Sequence, residues 1–224
     1  MNLTALEYLG LSHVLKRGTG KILEERENAL LLLDTVSEIG LLACEDVKLG
    51  LSLLERHVNQ MNILMVSTPE LGEAVFSRYG FADRMECYQV AYYGELPTLD
   101  DRLTIRVADL SDLPMLVANY HRLDEDEVKK IVERGSILLG YNQDGNLVGF
   151  IGEHLEGSMG LLYIFPKYRR MGFAAALENA KIAEILQKGF VPFAQIDKNN
   201  LPSLCLQEKL GMTRSERTIM FLWK

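Results

Sequence analysis

The spacing of hydrophobic and polar residues predicts a series of short strands and helices, most clearly in residues 102–224. Residues 102–108 alternate apolar and polar side chains as a half-buried strand does, and residues 109–135 have helical spacing after Asp and Ser caps. Two β-rich runs follow on either side of Asp144-Gly145, which is a strong signal for a hairpin. We therefore predict a strand, helical cover and an antiparallel pair.

The rest of this region continues the alternation of strands and helices. A further apolar strand is predicted over residues 158–165, and a helix over residues 172–188 with Gly189 as its C-terminal cap. A short strand over residues 191–197, a helix over residues 199–211 and a last strand over residues 217–224 complete the pattern. The predicted order is β-α-β-β-β-α-β-α-β, which indicates an α/β fold.

The junction between the strand ending near Pro166 and the next helix has an unusual composition, PKYRRMGFAAALENA. A helix N-terminus has free backbone N–H groups and the positive end of the helix dipole, so it binds anions. Gly172 lets the backbone come close, the alanines that follow keep the first turn slim, and Arg169 and Arg170 can reach a diphosphate. The pattern predicts a diphosphate site; the alternative is a surface loop with two solvated arginines.

Composition and charge narrow the function. With 224 residues, 48% of them hydrophobic, the chain can form one large domain or two smaller ones. A formal charge of −7 argues against a broad nucleic-acid surface, because phosphate binding needs a cationic face. The chain starts without a secretory signal pattern and has no apolar run of bilayer length, so we predict a cytoplasmic protein with no membrane partner. Cys44, Cys87 and Cys205 lack metal or disulfide spacing, which indicates buried free thiols and no metal.

Residues 102–224 resemble the GNAT superfamily of N-acyltransferases, and within it the glycine N-acyltransferase-like branch. The segments YIFPKYRRMGFAAAL and DKNNLPSLCLQEKLGM carry the resemblance. It implies a mixed, mostly antiparallel sheet flanked by helices, with acetyl-CoA as cosubstrate. The implied activity is direct transfer of an acetyl or short acyl group from acyl-CoA to a primary amine of a small molecule or peptide.

The resemblance also implies which residues contact the cofactor. The arginine-glycine loop would bind the pyrophosphate, the main chain of a bulged strand would pair with the pantetheine arm, and the start of the next helix would face the cofactor. The cleft would lie between the strands predicted over residues 158–165 and 191–197. The implied residues are Leu162, Tyr163, Ile164, Arg169, Arg170, Met171, Gly172, Phe173, Ala174, Ala175 and Asn200.

Two positions depart from the family pattern. Many members have a tyrosine acid where this chain has Gln207, and some have a glutamate base where it has Gln195. Glutamine can hydrogen-bond a thiolate but cannot donate a proton as an acid. The candidates for the base are Glu153 and His154, at the end of the strand before the cofactor strand; the alternative for each is a solvated polar residue.

The first hundred residues repeat the pattern of the last part of the chain. When Gly80 is aligned with Gly211, strand, helix and strand fall on strand, helix and strand, but Glu38 to Gly40 stand opposite Arg169 to Met171. We therefore predict a degenerate GNAT-like domain over residues 1–100 without the CoA loop, and an acetyltransferase domain over residues 101–224. The alternative is a coincidence between two α/β segments. Such a unit could shape the acceptor pocket or form a homodimer surface.

Two functions remain open at this point. The first is an N-acyltransferase, and the second is a CoA-binding module that has lost catalysis and acts through a partner, as Gln207 and Gln195 suggest. The acidic stretch in residues 121–135 is expected to border the acceptor site and to favour a cationic amine. The alternative for this stretch is a solvated helix face.

Overall fold

A computed structural model describes Leu3 and residues 5–224. Its helices, in chain order, are α1 (Leu9–Arg17), α2 (Val47–Leu54), α3 (Pro69–Tyr79), α4 (Leu113–Asn119), α5 (Glu125–Glu133), α6 (Phe173–Gln187) and α7 (Leu201–Lys209). Its strands are β1 (Gly20–Arg26), β2 (Ala29–Asp34), β3 (Ile39–Cys44), β4 (Ile63–Val66), β5 (Asp83–Ala91), β6 (Thr104–Val107), β7 (Ile137–Tyr141), β8 (Leu147–Glu153), β9 (Met159–Ile164), β10 (Phe193–Asp197) and β11 (Thr213–Trp223).

The predicted element order of residues 102–224 is confirmed. The helical stretch forms two helices because the backbone at Tyr120 is extended, and Asp124 then caps α5 by accepting a hydrogen bond from Glu127 N. Strands β7 and β8 pair antiparallel around a turn in which Gly145 has a φ of 76°, a conformation that favours glycine. The fold class is a mixed, mostly antiparallel α/β arrangement, as predicted.

The chain forms two compact units, and their boundary differs from the predicted division at residue 100. Unit 1 combines the residues up to Ala91 with Phe193–Lys224, and unit 2 spans Tyr92–Pro192. The reason lies in strand pairing, because β10 and β11 belong to the sheet of the N-terminal residues. That sheet has the order β1-β2-β3-β4-β11-β5-β10, in which β3 and β4 are parallel.

In unit 1, strands from one half of the predicted repeat pair with strands from the other half. Strand β11 lies between β4 and β5 and pairs antiparallel with both, with Met220 opposite Val66. On its other side β5 pairs antiparallel with β10. In the repeat, β4 corresponds to β10 and β5 to β11. The last strands of the two halves, β5 and β11, therefore lie side by side in the sheet of unit 1.

Hydrophobic packing holds this sheet on both faces. Strands β2 and β3 are almost entirely buried, which fits their runs of leucine. Helices α2 and α3 cover one face, where Leu71 and Val75 pack on Leu64, and α1 covers the other, where Leu11 and Val14 pack on it. The sheet is the middle layer of unit 1.

Unit 2 has an antiparallel sheet of order β6-β7-β8-β9. Helices α4 and α5 pack on one face, where Leu116 and Val128 contact Phe150 in a common core. Helix α6 packs on the other face so closely that a Cβ at Gly140 would lie 3.0 Å from a methyl group of Leu177. Strand β9 is at the edge of this sheet, and it leads directly into the loop before α6.

Candidate functional site

The loop before α6 leaves the N-terminus of that helix open to an anion. Gly172 is the N-cap residue, with a φ of 88°, and it provides no side chain to cap the first turn. The first-turn N–H groups, such as those of Ala174 and Ala175, have no partner within the helix. Arg170 also has a positive φ, 64°, so the loop is sharply turned just before the helix. Backbone N–H groups and the helix dipole together favour an anion here.

Two predicted arginines lie on this loop. Arg169 donates from Nε to the carbonyl oxygen of Ile164 at 2.9 Å, which ties its guanidinium to the end of β9. Arg170 is exposed, and within residue 3 and residues 5–224 it makes no ion pair. Met171 beside it is also exposed. Both arginines can therefore supply positive charge beside the open helix terminus.

A third arginine, which the sequence did not indicate, contacts the same loop. Arg102 donates from Nη1 to the carbonyl oxygen of Met171 at 3.1 Å, and its guanidinium carbon lies 5.2 Å from the centre of the Phe173 ring. Asp100 pairs with this guanidinium. A Cβ at Gly172 would lie 3.1 Å from Nη2 of Arg102. No local pattern marks Arg102, since it was predicted only as part of a strand.

Strand β9 carries a β-bulge. Phe150 stands opposite Tyr163 and Gly152 opposite Gly160, so β9 has one residue more than β8 between these pairs. Leu161, within the bulge, has a φ of 52°. A bulge turns main-chain groups away from regular pairing. The predicted pantetheine contacts Leu162, Tyr163 and Ile164 follow directly, on a strand that pairs only with β8 in its sheet.

The two predicted base candidates have different surroundings, although they are neighbours in sequence. Glu153 is 8% exposed and lies near the buried ammonium of Lys181 on α6. Burial lowers the pKa of Lys181, and the negative charges of Glu184 and Glu153 partly offset that effect. Lys181 Nζ also donates to the carbonyl oxygen of Ser136 at 3.0 Å. Glu153 thus has the environment of a structural charge partner.

His154 belongs to a group on the side of the sheet that α4 and α5 cover. It starts the turn between β8 and β9, where its N–H donates to the carbonyl oxygen of Ser158 at 2.8 Å. Its imidazole lies over Gly160, where a Cβ would collide with the ring. The charges of His154 and of Glu156 in the turn both act on the carboxylate of Glu127 of α5. His154 is half-buried and so remains open to a reactant.

Tyr120, at the end of α4, joins this group to the bulge. Burial raises the pKa of its phenol, and a hydrogen bond from the main chain of Leu161 partly offsets the rise. Tyr120, Glu127, His154 and Glu156 are called the bulge cluster below. Among them the sequence indicated His154 as a candidate base and Glu127 as part of the acidic stretch 121–135, whereas no motif marks Tyr120 or Glu156. Their proximity depends on how α4 and α5 pack on the sheet.

Other residues that the sequence indicated lie in unit 1. Asn200 caps α7, since its side chain accepts a hydrogen bond from Ser203 N at 3.3 Å. Gln195 donates to the side chain of Gln89 at 3.3 Å. Gln207 is buried within α7, at 3% exposure. Contact of Asn200 with a cofactor, and the cleft between residues 158–165 and 191–197, stay predictions.

The corresponding helix of the N-terminal half, α2, lacks an open N-terminus. Only Glu45 and Asp46 separate β3 from α2, whereas the aligned residues Glu38 to Gly40 lie at the start of β3. The Asp46 side chain accepts from Leu49 N at 2.8 Å and caps the helix. Glu45 is bound by two hydrogen bonds from Arg217. These carboxylates would repel a second diphosphate.

Metal-binding clusters, membrane-spanning helices and reactive cysteines would indicate other classes of site. Across residue 3 and residues 5–224, no group of three His, Cys, Asp or Glu side chains could hold a metal ion. Within the same residues, no helix has the length and apolar character needed to cross a membrane. All three cysteines are free thiols, and Cys44 and Cys87 are buried as predicted, but Cys205 is exposed, so the prediction of burial is wrong for it.

Comparison with known proteins places the fold. The family model described as FR47-like protein matches residues 137–221, which span β7 to β11. No curated protein matches the chain.

Solved structures match nearly the full length of the chain at low identity. A Drosophila protein aligns with a TM-score of 0.69 and 17% identity, over 98% of this chain and 90% of that chain. A GCN5-related N-acetyltransferase-like protein from Streptococcus suis aligns with a TM-score of 0.59 and 19% identity, over 95% and 93%. A tandem GNAT protein from the clavulanic acid biosynthesis pathway aligns with 0.52 and 10%, over 96% and 87%. The chain has the fold of GNAT acetyltransferases, as predicted.

Proposed function

We propose that this protein is an N-acyltransferase that moves an acetyl or other short acyl group from acyl-CoA to a primary amine. One observation carries the proposal: the uncapped N-terminus of α6, with Gly172 at its start, directly follows a bulged edge strand. Coenzyme A combines a diphosphate with an extended arm that contains amides. A helix terminus suits the diphosphate, and an edge strand suits the amides.

The residues present fit such a ligand. The backbone from Arg170 to Ala175 would hold the diphosphate, and Arg169 would add a cation. The main chain of Leu162, Tyr163 and Ile164 would pair with the arm, since β9 has no second neighbour in its sheet. Arg102 extends this set, because it already contacts the loop at Met171.

The bulge cluster would supply the proton chemistry. Bound acyl-CoA provides a thioester whose acyl carbon is attacked by a neutral amine. His154 would take the proton that the amine nitrogen loses, since imidazole is the side chain that most often serves as a general base. Glu153 suits this role less well, because it lies beside Lys181. A departing thiolate, with an ordinary pKa near 8.5, needs little help from an acid, which is compatible with Gln207.

Finer parts of the proposal rest on the resemblance of the sequence. They are acetyl-CoA as the donor, direct transfer, membership of the glycine N-acyltransferase-like branch, and contact of Asn200 with the cofactor. A small-molecule or peptide amine as acceptor, a cytoplasmic location, the absence of a nucleic-acid partner and a homodimer also stay predictions. The alternative of a non-catalytic CoA-binding module rests on Gln207 and Gln195.

Release of free thiol from acetyl-CoA, measured across a panel of amines, tests the proposal. We expect release that depends on the amine and on protein concentration, together with acetylated amine detected by mass spectrometry. The His154→Gln variant lacks the proposed base and should lose most of the amine-dependent release of thiol. A protein that binds acetyl-CoA but acylates no amine in the panel would favour the non-catalytic module.

A further inference from the structure

The loop before α6 contains two backbone conformations of the left-handed kind. Arg170 has a φ of 64° and Gly172 a φ of 88°, so the chain enters this region twice within three residues. Glycine tolerates the region, but an arginine keeps it only where surrounding contacts fix it. Within the part of the chain that the structure describes, residue 3 and residues 5–224, the one side-chain hydrogen bond to residues 170–172 comes from Arg102. A residue outside the loop thus fixes its main chain.

We propose that Arg102, oriented by Asp100, is a positioning residue that holds the arginine-glycine loop in its anion-binding conformation before a ligand arrives. This inference rests on the proposed function, in which the loop binds the diphosphate of acyl-CoA. It goes beyond a third positive charge, because Arg102 supplies the shape of the loop and with it the direction of the N–H groups at the start of α6. A site that is shaped in advance loses less binding free energy to ordering of the loop.

Three contacts place the guanidinium of Arg102 across the junction between loop and helix. Nη1 donates at 3.1 Å to the carbonyl oxygen of Met171, the residue between the two positive φ angles. The guanidinium carbon lies 5.2 Å from the centre of the ring of Phe173, the first residue of α6, a distance at which cation and ring attract. A Cβ at Gly172 would lie 3.1 Å from Nη2, so the missing side chain leaves room for the guanidinium. Arg102 thus contacts both sides of Gly172.

Asp100 fixes the orientation of this guanidinium. Its carboxylate accepts from Nε of Arg102 at 2.9 Å and from Nη2 at 2.5 Å, and it also accepts from the main-chain N–H of Arg102 at 3.0 Å. A planar guanidinium that is bound through two nitrogens cannot rotate freely, so Nη1 stays beside Met171. Asp100 and Arg102 belong to one turn, which the hydrogen bond from Leu103 N to the carbonyl oxygen of Asp100 closes. Their placement therefore does not require a ligand.

Hydrogen exchange and calorimetry of Arg102→Ala and Arg106→Ala in the intact chain test the inference. Arg106 is the matched control, because it is similarly exposed and also contacts an aspartate, a main-chain carbonyl and an aromatic ring. In the free protein, amides 171–175 should exchange about tenfold faster in Arg102→Ala than in wild type. The Kd for acetyl-CoA should rise about tenfold. In the same variant, kcat at saturating acetyl-CoA should change less than about threefold.

Two further variants separate the position of Arg102 from its charge. Asp100→Asn removes a negative charge near the loop and keeps an oxygen that can accept from Arg102 N. If Arg102 acted only as a charge, this variant would bind acetyl-CoA more tightly. We expect about threefold weaker binding, because the guanidinium is less firmly held. Arg102→Lys keeps the charge but lacks the planar fork, so it should restore little of the affinity that Arg102→Ala loses.

Each outcome counts for or against the role of Arg102. Loop exchange in Arg102→Ala that is no faster than in Arg106→Ala would overturn it, as would full affinity in Arg102→Lys or tighter binding in Asp100→Asn. Faster exchange with unchanged affinity would overturn it too. Faster exchange confined to Arg102→Ala, with a parallel loss of affinity, supports it. Exchange is measured without ligand, so a wild-type protein that binds no acetyl-CoA would refute the proposed function, while the exchange result still decides whether Arg102 holds the loop.

Discussion

Glu153 and His154 are neighbours in sequence but have different chemical surroundings. Consecutive residues at a strand end point to opposite faces of the sheet. Glu153 lies near Lys181 of α6, whereas His154 lies near Glu127 of α5. On the face covered by α6, Glu153 is buried near a positive charge. On the face covered by α5, the imidazole of His154 is half-buried and lies next to the bulge. The two candidates are therefore expected to fail in different ways when they are substituted.

His154→Gln should lower kcat by about a hundredfold or more, the usual contribution of a general base, with little change in stability. Glu153→Gln should instead lower the free energy of unfolding by about 1–3 kcal/mol, because it leaves Lys181 with less countercharge, and should change kcat little. Steady-state kinetics and chemical denaturation of both variants check this. Loss of turnover in a stable Glu153→Gln protein, with normal turnover in His154→Gln, would reverse the assignment.

Residues whose role follows from a local sequence pattern were predictable, and residues whose role depends on tertiary packing were not. Gly172 and Arg169 stand in one short junction whose composition predicts an anion site, and the structure gives that junction an open helix terminus. Arg102 comes from another element, and its distance along the chain hides its contact with Met171. Only the packing of the segment before β6 brings it near the loop.

At the level of elements, the connections before α2 and α6 differ, which is why an anion is expected in only one half of the predicted repeat. Residues 165–172 form a loop that turns sharply at Gly172. In the other half, Glu45 and Asp46 lead straight into the helix, and the Asp46 carboxylate occupies its N-terminus. Arg217 of β11 then neutralises Glu45.

Arg217→Ala should destabilise the protein by about 1 kcal/mol at neutral pH, since both partners of this bidentate pair are half-exposed. Hydrogen bonds from Arg217 are the first cause that lowers the pKa of Glu45, from 4.5 to about 2. The stabilisation is thus present above pH 4.5 and is lost as the pH falls towards 2. Chemical denaturation should show wild type and variant converging over that range.

Arg78→Ala serves as the control for this pair, because the ion pair of Arg78 with Glu55 is exposed and is formed by one nitrogen atom. It should change stability less than Arg217→Ala does. A difference between wild type and Arg217→Ala that stays constant from neutral pH down to pH 2 would contradict the role of Glu45.

At the scale of the whole molecule, the two halves of the predicted repeat depend on each other, because strands of one half pair with strands of the other. The sequence predicts each strand of unit 1 but not its partner in the sheet. Strands β5 and β11 have similar apolar patterns, so either could pair with β4 or with β10. The register of β11 with Val66 and of β5 with Ala194 is fixed only in the folded sheet. The sequence therefore predicts a domain boundary near residue 100, although residues 193–224 belong to unit 1.

We expect a fragment of residues 101–224 to remain largely unfolded at its C-terminus, because β10 and β11 lose their partners β5 and β4. Its amide NMR spectrum should show poor dispersion for residues 193–224. Addition of a fragment of residues 1–100 should restore dispersion. A lone 101–224 fragment with a fully dispersed spectrum and one cooperative thermal transition would contradict the dependence of the halves.

The central claim is that the start of α6 binds the diphosphate of acyl-CoA, and calorimetry with acetyl-CoA tests it most directly. The comparison is between Gly172→Glu and Gly145→Glu in folded protein. Both glycines have a positive φ, 88° and 76°, so the backbone strain and the added charge are matched. No atom lies within 4 Å of a Cβ at Gly145, in the hairpin turn. Gly172→Glu should abolish binding, and Gly145→Glu should bind like wild type. Wild-type affinity in Gly172→Glu would show that this helix terminus is not the diphosphate site.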